Sequence, residues 1–318
     1  MFRRVMTAVA VTSLIAGAAL AQDDYPNKPV TLVVGFSAGG GMDTLGRLVA
    51  DRVTKELGQQ MVVENRPGAG GTIAPGYVAN ASPDGYTLYL GETAATVADV
   101  VIGEVGYDPI KSFTPIAQLA VAPLALVANN DVPASNMSEF VELVKSKPGE
   151  FFYASSGVGT LQHLAGEQLN HDAGLEMEAV HFQGGSPSIT ALMSGEVEFA
   201  ITSLNAASSQ AEGGNLKVLG VTTKDPVPGF ESIDTVSSVV DGFDAAPRQF
   251  VMAPAGTPAP VIEKLEAAFA AALADEALRT DLSSRGLVPT YLSGAELAEQ
   301  LPGVIETWSS TARKALDK

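Results

Sequence analysis

The 318-residue chain contains no cysteine. That excludes disulfides, thiolate metal sites and cysteine nucleophiles, and it leaves no cysteine to carry a lipid anchor. Basic residues are scarce, with 19 Lys and Arg against 36 Asp and Glu. A balance this acidic argues against nucleic acid and against anionic membrane surfaces as partners. It does not exclude a small anion. Charges more than about 8–10 Å away are largely screened at ordinary salt, and a helix N-terminus supplies roughly half a positive charge locally. Beyond residue 21 no apolar run reaches the ~18 residues that span a bilayer. No internal repeat and no low-complexity tract is visible, and His163, His171 and His181 do not form a metal-ligand spacing.

What is present begins with a secretory signal. Arg3 and Arg4 form a basic start, Ala8 to Leu20 is apolar, and Ala19-Leu20-Ala21 is an A-x-A cleavage site. Cleavage after Ala21 is expected. The paired arginines also fit twin-arginine export, but nothing in the chain demands a cofactor loaded before export, and no cofactor is expected. The mature chain keeps 17 basic and 36 acidic residues, a net charge of −19. Its length suffices for two domains.

The stretch around which the chain is organised is GFSAGGGMD, residues 35–43. Before it, Val30, Leu32, Val33, Val34 and Phe36 read as a buried strand. After it, Leu45, Leu48, Val49, Val53 and Leu57 recur at helical spacing, with Gly58 as a stop. Glycines let a backbone approach a ligand closely, and the first N–H groups of a helix have no internal partner. Together they make an anion site; equally, the glycines serve a tight turn packed for its own sake. The spacing is neither a P-loop, since no Lys-Ser/Thr pair follows, nor a dinucleotide fingerprint.

Strand and helix signals alternate from there, which implies a parallel α/β sheet. Met61–Glu64 reads as a strand, and Thr72 opens a helix after the glycine-rich turn 66–71, which reads as a packing turn. Thr87–Leu90 is a strand followed by a turn at 91–93. Residues 117–128 read as one extended strand long enough to pass between domains, and Phe250–Ala253 as the strand that returns. Asn136 and Glu139 have capping-box spacing. The loop SSGVGTLQHLAGE, residues 155–167, again runs from strand end into helix. Its backbone N–H groups and the hydroxyls of Ser155, Ser156 and Thr160 suit an anion. Residues 224–248 are loop-rich, and the last helix, 295–315, contains Pro302, where a kink or break is expected.

Six segments in order carry a resemblance: GFSAGGGMD (35–43), ENRPGAGGTI (64–73), PDGYTLYLG (83–91), YDPIKSFTPIA (107–117), SSGVGTLQHLAGE (155–167) and APAGTP (253–258). Across essentially the whole mature chain the sequence resembles the tripartite tricarboxylate transporter solute receptors, TctC-like periplasmic proteins also called the Bug family. The resemblance implies a two-domain Venus-flytrap fold of the periplasmic-binding-protein class with two chain crossings. Its expected division is domain 1 at 22–122 and 249–318, and domain 2 at 123–248. It also implies a periplasmic monomer that binds a small carboxylate, without enzymatic activity, metal or nucleic acid, and that meets membrane permease subunits transiently.

The resemblance places the ligand between the first loop (Phe36, Ser37, Ala38, Gly39, Gly40, Gly41, Met42, Asp43) and the second (Ser155, Ser156, Gly157, Gly159, Thr160). It adds Glu92 and Thr93, Phe182 and Gly184, and Ser203 and Asn205. Asp43 is expected to bond N–H groups of its own helix start. Three positions depart from the family pattern. Gly41 and Met42 replace hydroxyl residues, so the first loop leans on backbone N–H groups. Glu92 replaces a hydroxyl residue, which implies repulsion of a dianion or pairing with a ligand ammonium. Arg248, in Arg248-Gln249-Phe250, is placed to take a second carboxylate in bidentate fashion; alternatively Glu92 and Arg248 face solvent or each other.

Two other functions remain open on the residues. Ser155, Ser156 and His163 together suggest a hydrolase, but the G-x-S-x-G elbow is absent, and His163 is expected to pack two turns into a helix. A sensor that hands its ligand-bound form to a signalling receptor would share the same binding chemistry.

Overall fold

The structure is a computed structural model and describes residues 25–316 apart from Ser37, Gly40 and Gln183. The signal segment, and the expected contacts of Ser37 and Gly40, lie outside the described residues. The chain opens with β1 (Val30–Val34), α1 (Gly41–Leu57), β2 (Met61–Asn65), α2 (Ile73–Ala79), β3 (Thr87–Glu92), the short α3 (Thr93–Thr96) and α4 (Ala98–Ile102), and β4 (Phe113–Val121). It continues through β5 (Leu124–Ala128), α5 (Met137–Ser146), β6 (Phe152–Ser155), α6 (Leu161–Ala173), β7 (Glu178–His181), α7 (Gly185–Ser194), β8 (Phe199–Ser203), α8 (Leu204–Glu212) and β9 (Lys217–Val221). It ends with β10 (Arg248–Pro254), α9 (Ala259–Ala274), α10 (Glu276–Ser283), β11 (Val288–Ser293) and α11 (Gly294–Leu316).

The strands form two sheets, β11-β4-β10-β3-β1-β2 and β7-β6-β8-β5-β9. In the first, β1 runs parallel to β2 and β3, and in the second β6 runs parallel to β7 and β8. The mixed α/β architecture is the one expected. β1 is covered on both faces, with Val30, Leu32, Val33 and Val34 fully buried, which is why its sequence is a continuous apolar run and does not alternate. α1 buries Leu45, Val49, Val53 and Leu57 in one core with Val261, Leu265 and Phe269 of α9. Gly58 ends α1 at φ +67° and donates its N–H to the Thr54 carbonyl at 3.1 Å. Asn136 caps α5 by accepting the Glu139 N–H at 2.9 Å, and the Glu139 carboxylate accepts the Ser135 N–H at 2.8 Å.

Three expectations are corrected. Residues 117–128 are not one strand: β4 belongs to the first sheet, β5 to the second, and Ala122-Pro123 lies between them. Pro123 has no N–H for a ladder, and the Ala122 N–H goes instead to the Pro247 carbonyl at 2.8 Å. The two crossing segments are therefore clasped to each other. Gly91 and Glu92 are not a turn but the end of β3, where Glu92 pairs with Gln249 of β10. α11 is unbroken at Pro302. Its first half buries Leu297 and Leu301 beside Phe250 and Met252, and its second half buries Trp308 and Ala312 beside Leu164 and Phe199. Packing at both ends outweighs the roughly 3 kcal/mol that an interior proline costs a helix, and α11 thereby touches the cores of both sheets.

Elements that sequence patterning missed have weak periodicity. Within α8 only Leu204 and Ala207 are buried. β11 is an edge strand, half-buried along its length and carrying Pro289, which an edge tolerates.

The two glycine-rich turns of the first sheet lock into each other. A Cβ on Gly35 would lie 2.7 Å from the Gly71 carbonyl oxygen, and Gly71 itself sits at φ +93° under the Phe36 ring. Gly35→Ala is therefore expected to destabilise the protein by about 1–3 kcal/mol, read as a lower urea midpoint with unchanged slope; an unaltered midpoint would show that the turns are not in contact.

Candidate functional site

The parallel strands of both sheets point their carboxyl ends at one cleft, the place where ligands bind in open α/β sheets. Loops leave β1 and β3 on one side and β6 and β8 on the other. Between them lie two adjoining hollows of about 390 and 410 Å³, sharing Glu92, Ala122 and Ser203 as a common wall. The first is mostly apolar, with Phe36, Val101, Ile102, Val158 and Leu161 in its lining. The second is bounded by Gly41, Met42 and Thr44 at the start of α1, Asn205 at the start of α8, Gln249 of β10, and Arg285-Gly286-Leu287.

The first loop is held by a charged network beneath it. Asp43 accepts the Gly39 N–H at 2.8 Å and the Arg47 Nε–H at 2.9 Å. Arg47 also donates to the Asn65 side-chain carbonyl at 3.2 Å, and the Asn65 amide donates to the Phe36 carbonyl at 3.0 Å. The hydrogen bond from Arg47, aided by the Gly39 N–H, holds the Asp43 carboxyl down at about 2. Asp43 is 3% exposed and lines neither hollow, so it shapes the loop from behind. Arg47, one turn along α1, was not foreseen in this role.

The second loop keeps its hydroxyls to itself, contrary to expectation. Ser155 is fully buried, and its Oγ lies 2.8 Å from His181 Nδ1. Thr160 Oγ1 donates to the Gly157 carbonyl at 2.8 Å and caps α6 by accepting the His163 N–H. His163 stands in the first turn of α6, not two turns along it. Its Nδ1 accepts the Gly159 N–H at 3.0 Å, and its ring meets His181 edge-on at 4.5 Å. A serine–histidine contact does exist here, but a fully buried hydroxyl is out of reach of a substrate, and the pair builds the loop.

Of the expected residues, Phe36, Gly41, Met42, Glu92, Gly159, Thr160, Ser203 and Asn205 line the hollows. Ala38, Gly39, Ser156, Gly157, Phe182 and Gly184 do not. Thr93 is fully buried and accepts the Arg248 N–H at 2.9 Å. Arg248 is corrected outright: its guanidinium donates to Gln300 at 2.8 Å, lies 3.8 Å from Asp244, and lines a separate hollow against α11. It pairs with neither Glu92 nor a group in the cleft. Side chains alternate along a strand, so its neighbour Gln249 faces the cleft instead. Gln249, Thr44, Arg285 and Gly286 are among the lining residues that sequence reasoning missed; alternation along 248–250 says that only one of Arg248 and Gln249 faces the cleft, and the pairing of β10 decides which. Burial pushes the Glu92 carboxyl up to about 7.

The profile of the tripartite tricarboxylate transporter family receptor matches residues 45–310. The chain belongs to that family. Its members are receptors, not enzymes. Three solved structures resemble this receptor over nearly its whole length. A periplasmic binding protein, BugD, is 31% identical with a TM-score of 0.72, covering 92% of this chain and 98% of its own. An R. palustris protein solved with adipate is 32% identical with a TM-score of 0.76, covering 92% and 98%. MatC from Rhodopseudomonas palustris, with bound malate, is 31% identical with a TM-score of 0.73, covering 91% and 100%. The fold is thus that of the periplasmic binding proteins.

In this receptor the depressed Asp43 carboxyl gives a signed prediction. Its stabilisation is present above its ordinary value near 4 and is lost as pH falls towards about 2. Because Arg47 is half exposed, solvent screening keeps that contribution modest. Asp43→Asn should lower the urea midpoint at pH 7 and change it far less near pH 2; a deficit independent of pH would contradict the ion pair.

Proposed function

We propose that the protein is a periplasmic receptor that captures a small carboxylate in this cleft and presents it to a membrane permease. One observation carries the reading: the starts of α1 and α8, from opposite sides of the cleft, bound the same 410 Å³ hollow. Ser203 precedes α8 without a side-chain cap; the Leu204 N–H goes to the Pro123 carbonyl at 3.0 Å, and the N–H groups that follow, like those at the start of α1, have no intrahelical partner. Two helix N-termini aimed at one space suit an anion. The neighbours solved with adipate and malate support a carboxylate as that anion. The signal segment supports export, with cleavage after Ala21.

Magnitudes explain why both sides are needed. Micromolar affinity requires about 8 kcal/mol, and one helix N-terminus supplies up to ~2 kcal/mol. The remainder comes from charge-assisted hydrogen bonds of roughly 1.5–3 kcal/mol each and from water exclusion when 123–248 closes on 22–122 and 249–318 as two domains. Contacts at both flanks suit such closure. A Cβ on Gly286 would lie 2.6 Å from Asn205 Cβ, and one on Gly159 would collide with Val101 Cγ1. A side chain at either position would push the facing residue away.

The test is a thermal-shift screen of residues 22–318 against mono-, di- and tricarboxylates and amino acids. A ligand at 100 times its Kd adds about 2.7 kcal/mol, a shift of roughly 5–10 °C at this size. No shift with any of them would reject the receptor reading. Gly286→Ala should weaken the bound ligand by about 10-fold, equivalent to ~1.4 kcal/mol, while unliganded Tm stays within a few degrees; unchanged affinity would remove the Gly286 contact from the closure.

A further inference from the structure

The wall of the second hollow holds a carboxylate without an ion pair and, beside it, an amide whose buried oxygen has no hydrogen-bond partner among the described residues. Glu92 on β3 and Gln249 on β10 are cross-strand partners, and both line that hollow. Gln249 is 3% exposed, yet its Oε1 has no hydrogen-bond partner. Among the described residues Glu92 makes no ion pair with any lysine, arginine or histidine. A half-buried carboxylate without a counter-charge and a buried amide oxygen without a partner each cost free energy. A second ligand carboxylate placed there would set like charge against Glu92. An ammonium group reverses that sign: it brings positive charge to Glu92, and its N–H groups suit the Gln249 amide once that amide turns its oxygen to the hollow.

We propose that Glu92 and Gln249 form an ammonium subsite, so that the ligand is an aminocarboxylate and not a plain di- or tricarboxylate. This rests on the receptor reading above and deepens it. The carboxylate of such a ligand falls to the helix starts of α1 and α8, with Arg285 exposed at the rim of the same hollow. The adjoining hollow has no charged lining residue other than Glu92, and Val158 and Ile102 in its wall are 61% and 54% exposed. An apolar ligand body covers them. The ligand therefore carries a carboxylate, an ammonium and an apolar chain.

The titratable groups around Glu92 are few. Tyr89 lies on its own strand and Arg285 across the hollow, while β10, the crossing at Ala122 and β8 bring only the neutral Gln249, Ala122 and Ser203. Arg248 is turned to Gln300. Glu92 must ionise to hold an ammonium, so affinity for an aminocarboxylate rises with pH.

Calorimetric titration of residues 22–318 with L-norvaline, 5-aminopentanoate, pentanoate and glutarate tests this, with Glu92→Gln and Gln249→Leu alongside. One of the two aminocarboxylates is expected to bind at least 10-fold tighter than pentanoate or glutarate. Its affinity should rise about 10-fold or more between pH 5.5 and 8. Glu92→Gln should remove that preference and flatten the pH profile while strengthening glutarate, and Gln249→Leu should weaken the aminocarboxylate alone. Tighter wild-type binding of pentanoate or glutarate overturns the subsite and leaves the receptor reading standing. Failure of all four to bind at millimolar concentration overturns both. Should either variant not fold, the wild-type ranking and pH profile still decide.

Discussion

Backbone N–H groups at helix starts, which have no intrahelical partner, are the constraint on which the rest of the structure depends. A parallel strand followed by a helix leaves such groups at its carboxyl end, and the two sheets bring α1 and α8 to the edge of one hollow. Most of the surrounding architecture keeps those starts in position. Asp43, Arg47 and Asn65 fix the first loop from below. His163 and Thr160 fix the second from within. Ionised and hydroxylated side chains that look like ligand contacts turn out to hold backbone in place.

This resolves the apparent conflict between a formal net charge of −17 and an anionic ligand. Distant surface acids are screened, whereas the partial charge of a helix start acts at contact distance. The acid that matters is Glu92, because it alone among the acids lines both hollows.

The two sheets are joined more firmly than two crossing strands would suggest. Ala122 is hydrogen-bonded to Pro247 across the pair of crossings. α11 buries Leu301 on one side and Trp308 on the other. Segments 94–101 and 304–312 also contribute to the core of the second sheet. Relative motion of the sheets must bend α11 or slide it, which favours small rotations about the 122–123 and 247–248 segments over wide opening.

Local pattern alone determined a good deal: the α/β alternation, the buried β1, the limit of α1 at Gly58, the cap of α5, and the two glycine-rich strand ends as the loops of interest. These depend on residues adjacent in sequence, where burial on both faces or a missing Cβ leaves a direct mark. The tertiary structure decided what sequence neighbours cannot. Arg248 and Gln249 are consecutive, and only the pairing of β10 with β3 and β4 tells which faces the cleft. Ser155 was legible as a loop hydroxyl, but its burial against His181 comes from a strand 26 residues away. Arg285 and Gly286 reach the site from a loop more than 190 residues beyond Glu92. α11 survives Pro302 because two separate cores grip its ends. In each case the deciding term is packing between distant segments, which no local periodicity records.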